Sequence, residues 1–204
     1  MYCILVSGIP ASGKSTIARI LSERLSLPVL SKDCIKEVLF DQIGFDSRSE
    51  KVALGVAAME VMYYAAEQLM KTHLPFILEN NFEHSSAEGI LSRLAQFDCK
   101  ALTVSLTGDY EIIYRRFLER NASPDRHRGH IVNDCYPEKT PRSTEELLAH
   151  TISCQEFIDG IHARGFDSFS AGEKRIIVDT TDFSSMDIDS LIGEIHQWIS
   201  SLHS

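Results

Sequence analysis

The chain has 204 residues, 44% of them hydrophobic, and a formal net charge of -9. That length and apolar share suit one domain with its own core, and no apolar run nears the ~20 residues that span a bilayer. The acidic balance counts against broad binding to a nucleic-acid backbone. Five cysteines (Cys3, Cys34, Cys99, Cys135, Cys154) with no C-x-x-C point to reduced thiols in the cytoplasm, not to a disulfide framework or a four-Cys zinc site.

In chain order, residues 2–6 are predicted as a first strand, too short for a signal peptide. The strand feeds Gly8-Ile9-Pro10-Ala11-Ser12-Gly13-Lys14-Ser15, a G-x-x-x-x-G-K-S loop. Its glycines let the backbone turn its N–H groups inward around a phosphate chain, Lys14 neutralises the terminal phosphates, and the Ser15 hydroxyl is free to ligate Mg²⁺. Ile17, Ala18, Ile20, Leu21 and Leu25 then recur at helical spacing, placing a helix N-terminus behind the loop, where anions are favoured. The expected ligand is a nucleoside triphosphate.

Residues 28–33 are predicted as the second strand, with Asp33 at its carboxyl end. Ser47-Arg48-Ser49-Glu50 matches a capping box opening a helix to about residue 71. Residues 75–82 form the third predicted strand, and Ser85-Ser86-Ala87-Glu88 is expected to cap a helix to about residue 97. A fourth strand is predicted over 101–106, a helix over about 110–121, and an irregular segment over 122–141. Ser143-Thr144-Glu145-Glu146 reads as another capping box, with its helix running to about residue 164. A fifth strand over 175–180 and a final amphipathic helix from Ile188 to Leu202 complete the chain. Strands alternating with helices imply a parallel, doubly wound sheet with ligands outside the carboxyl ends of its strands, in a single domain over 1–204.

That rule selects Asp33, Glu79, Asn80, Asn81, Asp109 and Asp179. Asp33 suits a proton acceptor for an attacking hydroxyl or a holder of water on Mg²⁺, and equally a helix N-cap. Glu79, after Phe76-Ile77-Leu78, is the alternative base or metal helper, or part of a structural polar cluster. Asn80 and Asn81 suit hydroxyl contacts or turn chemistry, and Asp179 a turn cap or a purine contact.

Five of the 12 arginines fall between Arg115 and Arg128. Arg116 and Arg120 are four apart on one helix face, so both can address one target. Arg126 and Arg128 follow on the irregular segment. Such a group fits a closing lid, over about 115–141, that stabilises charge on a transferring phosphoryl group; it also fits a solvated face. His127 and His130, with Asp134 and Cys135, give too few strong ligands for a closed zinc site and suit lid positioning better.

Taken together, Val6–Thr16, Leu30-Ser31-Lys32-Asp33, Leu78-Glu79-Asn80-Asn81-Phe82 and Arg126-His127-Arg128-Gly129-His130 resemble the small-molecule P-loop kinases. These include shikimate and gluconate kinase, chloramphenicol phosphotransferase, polynucleotide kinase and zeta toxin. The likeness is nearest to the ATP-binding kinases described as AAA-domain proteins. The resemblance implies a three-layer α/β/α P-loop NTPase fold whose five-stranded sheet runs 2-3-1-4-5, with ATP and Mg²⁺ as cofactors. It implies Asp33 as base, with Lys14, Arg116 and Arg126 also catalytic. Gly8, Pro10, Ala11, Ser12, Gly13, Lys14, Ser15, Thr16, Arg120 and Arg128 would hold the nucleotide, and Ser15, Asp33 (through water) and Glu79 the metal. Two departures stand out: Glu79 replaces the family's Asp, and Arg128 replaces the Pro of its Arg-His-Pro-Gly-His.

The expected activity is transfer of the γ-phosphoryl of ATP to a hydroxyl of a small molecule. A 5′-hydroxyl nucleic-acid kinase, disfavoured by the net charge, and an ATP-binding module without transfer are the alternatives. A GTPase would need Asn-Lys-x-Asp, which is absent, and Asp41-Gln42-Ile43-Gly44 lies in a predicted helix. A cytoplasmic monomer or homodimer is expected.

Overall fold

The computed structural model describes residues 1–149, 151–172 and 174–202. Among these, β1 (Tyr2–Gly8), β2 (Val29–Ser31), β3 (Phe76–Glu79), β4 (Lys100–Thr107) and β5 (Lys174–Asp179) form one parallel sheet in the order β2-β3-β1-β4-β5. This is the P-loop NTPase arrangement that the resemblance implied.

Strand β1 is buried on both sides, which is why it reads as an unbroken apolar run. Its side chains alternate between two cores. Ile4 and Val6 pack with Ile17 and Leu21 of α1 (Lys14–Leu25), Leu102 and Val104 of β4, and Ile192, Ile195 and Trp198 of α9 (Ile188–Ser201). Cys3 and Leu5 face Met62, Ala66 and Met70 of α3 (Arg48–Lys71) and Ile90 and Leu94 of α4 (His84–Gln96). Helices thus cover both faces of the sheet.

Two smaller apolar clusters set the active end. Ile9, Ile113, Phe157, Ile161 and Phe166 pack the phosphate loop against α5 (Tyr110–Ala122) and α8 (Cys154–Arg164). Phe40, Phe45 and Val132 join α2 (Lys32–Ile43) to the segment beyond α5, which contains a short helix, α6 (Arg128–Ile131), within its otherwise irregular course.

Three local expectations are corrected. Strand β2 ends at Ser31, and the Ser31 hydroxyl, not the Asp33 carboxylate, caps α2 by accepting from the Cys34 N–H. Helix α4 begins at His84 after Glu83 without a side-chain cap; the Ser86 hydroxyl donates to the Glu83 carbonyl instead. The single helix expected over 143–164 is two, α7 (Thr144–Leu148) and α8, because Ser153 and Glu156 form a second complete capping box. His150, within that expected helix, lies outside the described residues. The Ser143–Glu146 box is present as read. Among the described residues no helix is long and apolar enough to cross a membrane.

Candidate active site

The phosphate loop runs from the end of β1 into α1, and its two glycines answer separate demands. Gly8, at φ 134°, lets β1 approach β4: a Cβ there would sit 2.2 Å from the Leu106 carbonyl oxygen. Gly13, at φ 87°, admits the Phe183 ring, 2.0 Å from where its Cβ would be. Phe183 opens a 3₁₀ turn, Phe183–Ser185, after β5, and nothing in the sequence pattern marked it.

Around this loop lies a cavity of about 420 Å³ lined by Pro10, Ala11, Gly13, Lys14, Ser15, Thr16, Asp33, Glu79, Asn81, Arg116, Arg120, Arg126 and Phe183. Most predicted site residues therefore meet in one place. Gly8 and Ser12 stand behind it, Ser12 fully buried with its hydroxyl unpartnered. Arg128 is elsewhere. Its guanidinium is engaged by Glu138 (2.7 Å), Thr144 Oγ1 (3.2 Å) and the Arg142 carbonyl (2.8 Å), so the structure gives it a bracing position instead of a place in the cavity.

Lys14 is only 8% exposed, and its Nζ donates to the Ile9 carbonyl at 2.7 Å. Burial lowers its ammonium to about 8; Glu79 and Asp33 oppose that shift and Arg120 adds to it. Glu79, 5% exposed at the end of β3, accepts from the Ser31 hydroxyl at 2.5 Å, and the Ser15 hydroxyl faces the same carboxylate. Desolvation raises its pKa against the pull of Lys14 and these hydroxyls. Asp33, one residue into α2, is crowded by protein but open to the cavity. Desolvation opposes its ionisation, but His130, Lys32, Lys36 and Arg126 together outweigh it and hold the carboxyl below its ordinary value. Asp33 is thus a carboxylate at neutral pH.

The arginines separate into distinct positions. The Nε atoms of Arg120 and Arg126 are buried without any hydrogen-bond partner, although both side chains line the cavity. Burial, then the neighbouring Arg126, lowers Arg120 to about 10. Unsatisfied buried donors are costly. Arg116 lines the same cavity as Arg120 and is tethered besides: Nη1 donates to the Thr180 carbonyl, Nη2 to that of Thr181 at 2.5 Å, and the guanidinium lies 5.4 Å from the Phe183 ring centre. Arg115 is exposed.

The oxygen donors suit Mg²⁺. Ser15, Asp33 and Glu79 present hard ligands to one cavity, and among the described residues no group of three or more His, Cys, Asp or Glu could hold a metal ion. An ion that keeps most of its waters and shares phosphate oxygens needs few protein ligands.

The other strand-end candidates have local partners. Asp109 caps α5 at the Ile112 N–H, and Asp179 accepts from the Thr181 N–H in a turn facing a separate groove beside α9. Asn80 donates to the Met59 sulfur, 3.6 Å away.

The segment expected as a mobile cover is tied to α2 and α3. His127 Nε2 meets Asp41 Oδ1 at 3.1 Å, His130 Nε2 meets Glu37 Oε1 at 2.8 Å, and the Tyr136 hydroxyl donates to Asp41 at 2.7 Å. Lys51, 6% exposed on α3, donates to the His130 and Val132 carbonyls at 2.9 and 2.6 Å. Sequence reasoning missed Lys51, which looks like an ordinary helix-surface lysine, and Ser31, whose cap signal was given to Asp33.

Comparison with known proteins agrees with this fold. A family described as AAA domain matches residues 4–141. Among solved structures, a candidate kinase from Chloroflexus aurantiacus j-10-fl is 23% identical, covers 98% of this chain and 96% of its own, and has a TM-score of 0.71. A shikimate kinase from Bacteroides thetaiotaomicron is 13% identical over 98% of both chains, with a TM-score of 0.53. A sugar kinase from Janibacter sp. HTCC2649, also 13% identical, covers 98% of this chain and 95% of its own at a TM-score of 0.53. These likenesses concern the fold. No curated protein matches the chain.

Proposed function

The chain belongs to the AAA domain family, and from that premise we propose that it is a single-domain cytoplasmic kinase that moves the γ-phosphoryl group of ATP to a hydroxyl of a small molecule. The observation that carries this reading is the pair of buried, unpartnered Nε donors on Arg120 and Arg126. Both side chains line the same cavity as Lys14, Asp33 and Glu79. Cations placed for a phosphate chain beside an ionised base are what phosphoryl transfer requires.

In this mechanism the backbone of residues 8–15 and Lys14 hold the phosphates, Lys14 giving up the Ile9 carbonyl for them. Pro10, Ala11, Gly13 and Thr16 wall the same chain. Ser15, Asp33 through water, and Glu79 would hold Mg²⁺, which would supply neutralising charge for the phosphates. Asp33 accepts the proton of the attacking hydroxyl. Arg120 and Arg126 stabilise the charge that spreads over the transferring group, and Arg116, anchored to the loop after β5, fixes the wall against which the nucleotide lies.

The test is transfer of labelled γ-phosphate from ATP with Mg²⁺ to a panel of hydroxyl compounds. Labelled ester is expected from the wild type and none from Lys14→Ala. Hydrolysis without transfer would favour a nucleotide-binding module. Equal turnover by both proteins would remove the kinase reading.

A further inference from the structure

Beside the cavity around the phosphate loop lies a second one of about 460 Å³, and Pro10 lines both. Four cations, Lys36, Arg48, Lys51 and Arg164, line it together with His130, and among the described residues no Asp or Glu does. The chain carries 29 acids against 20 Lys and Arg, so a cavity walled by one sign of charge runs against its composition.

Several arginines elsewhere pair with carboxylates: Arg19 with Glu23, Arg24 with Asp189, Arg93 with Glu60 and Glu67, Arg128 with Glu138, and Arg142 with Asp134 and Glu138. The four cavity cations do not, among the described residues. Lys51 donates only to carbonyls and to Asn133 Oδ1 (3.1 Å). Arg48 donates to the same Asn133 oxygen (2.5 Å). Arg164 donates to the Gly160 carbonyl and stacks 4.9 Å from the Phe166 ring, and Lys36 lies 5.2 Å from the Phe40 ring. Burial and then the neighbouring Lys36, Arg48 and Arg126 lower the Lys51 ammonium to about 7. Converging cations without a carboxylate in contact are kept at a cost, and an anion among them offsets it.

Position supplies the second half. Lys36 is three residues beyond Asp33 on α2, so the two side chains share a helix face, and Asp33 and Lys36 attract one another. An anion held by Lys36 and its neighbours therefore brings the rest of its molecule to Asp33. Phe117, Phe157, Ile161 and Phe166 give the cavity an apolar floor, which suits a compact carbon skeleton. Resting on the kinase reading above, we infer that this cavity is the acceptor site and that the acceptor is a small hydroxyl compound bearing its own anionic group, a carboxylate or a phosphate ester.

Binding, not turnover, tests this. With the nucleotide cavity filled by a non-hydrolysable ATP analogue and Mg²⁺, two matched series are titrated calorimetrically: glycerol, glycerate and glycerol 3-phosphate; and glucose, gluconate and glucose 6-phosphate. At least one anion is expected to bind tenfold or more tightly than its neutral counterpart, and the carboxylate and phosphate arms tell the two chemistries apart. Arg48→Gln and Arg164→Gln, at exposed positions that leave the fold intact, should each weaken that anion tenfold while the ATP analogue binds within twofold of wild type. Neutral compounds binding as well as their anions, anion affinity indifferent to both variants, or no anion binding would overturn the inference. So would a single-stranded oligonucleotide binding more tightly than every small anion. Anion binding without phosphoryl transfer would instead refute the kinase and leave this site standing.

Discussion

The two cavities that meet at Pro10 handle charge in opposite ways. Around the phosphate loop, Lys14, Arg120 and Arg126 face Asp33 and Glu79, so each ion is partly compensated and each carries a shift traceable to its neighbours. In the second cavity the charged lining, among the described residues, is Lys36, Arg48, Lys51 and Arg164, beside His130, Asn121, Asn133, Thr151 and an apolar floor. The first arrangement suits a ligand that arrives with its own metal, needing donors for the phosphates and oxygens for the ion. The second suits a bare anion. On the proposed reading, the difference also separates residues that act on a reacting group from residues that hold the molecule carrying it.

Lys14→Met attacks the mixed-charge side and should have the largest effect. Loss of the one cation inside the loop is expected to lower kcat by ~10³-fold or more, while the thermal midpoint rises because a desolvated ammonium is replaced by an apolar chain. A folded Lys14→Met protein with wild-type turnover would erase the distinction between the cavities. Asp33→Asn comes next: kcat should fall by ~10²–10⁴-fold with ATP affinity little changed. Because Ser31 caps α2, the helix start stays intact, so a drop in stability with normal turnover would reassign Asp33 to structure.

The arginines sharpen the contrast further. Arg120→Gln should lower kcat by ~10²-fold with a smaller change in KM for ATP. Arg128→Gln should leave turnover within a few-fold of wild type but cost about 1–3 kcal/mol of stability, read from urea unfolding, since it takes one of two guanidinium partners from the largely buried Glu138 carboxylate and leaves only Arg142. Equal kinetic losses from both would mean that Arg128 leaves its brace to reach the nucleotide.

The smallest effect concerns pH. The Lys14 ammonium, at about 8 when folded, lies below its ordinary 10.5, so the unfolded chain holds that proton more tightly. The resulting destabilisation is full below pH 8 and fades as pH rises towards 10.5. The stability advantage of Lys14→Met over wild type should therefore shrink across that window; an advantage that is flat with pH would show that the ammonium is not desolvated.

How legible each part was in the sequence follows from the range of the physics behind it. The β1–loop–α1 unit could be read because turning a backbone around phosphate imposes residue types at fixed neighbouring positions. The sheet order came through resemblance, since alternating strands and helices require parallel pairing without saying which strands are adjacent. The break between α7 and α8 was written in Ser153-x-x-Glu156, but apolar spacing across 143–164 masked it. The cavity cations had no local signature: Lys36, Arg48 and Lys51 read as solvated helix charges, and Arg164 follows them by more than a hundred positions. Only the fold shows that they converge. Likewise, the i,i+4 spacing of Arg116 and Arg120 gave a shared face but not the Thr180 and Thr181 carbonyls that hold one of them.

The half-neutral state of Lys14 near pH 8 has a thermochemical consequence. A polyphosphate settling on Lys14 stabilises the ammonium, so the free protein, part of whose population lacks that proton at pH 8, must take it from solution as the complex forms. The buffer supplies it. The measured heat of nucleotide binding at pH 8 should thus vary with the ionisation heat of the buffer chosen, and the slope of that variation counts the fraction of a proton captured per nucleotide bound.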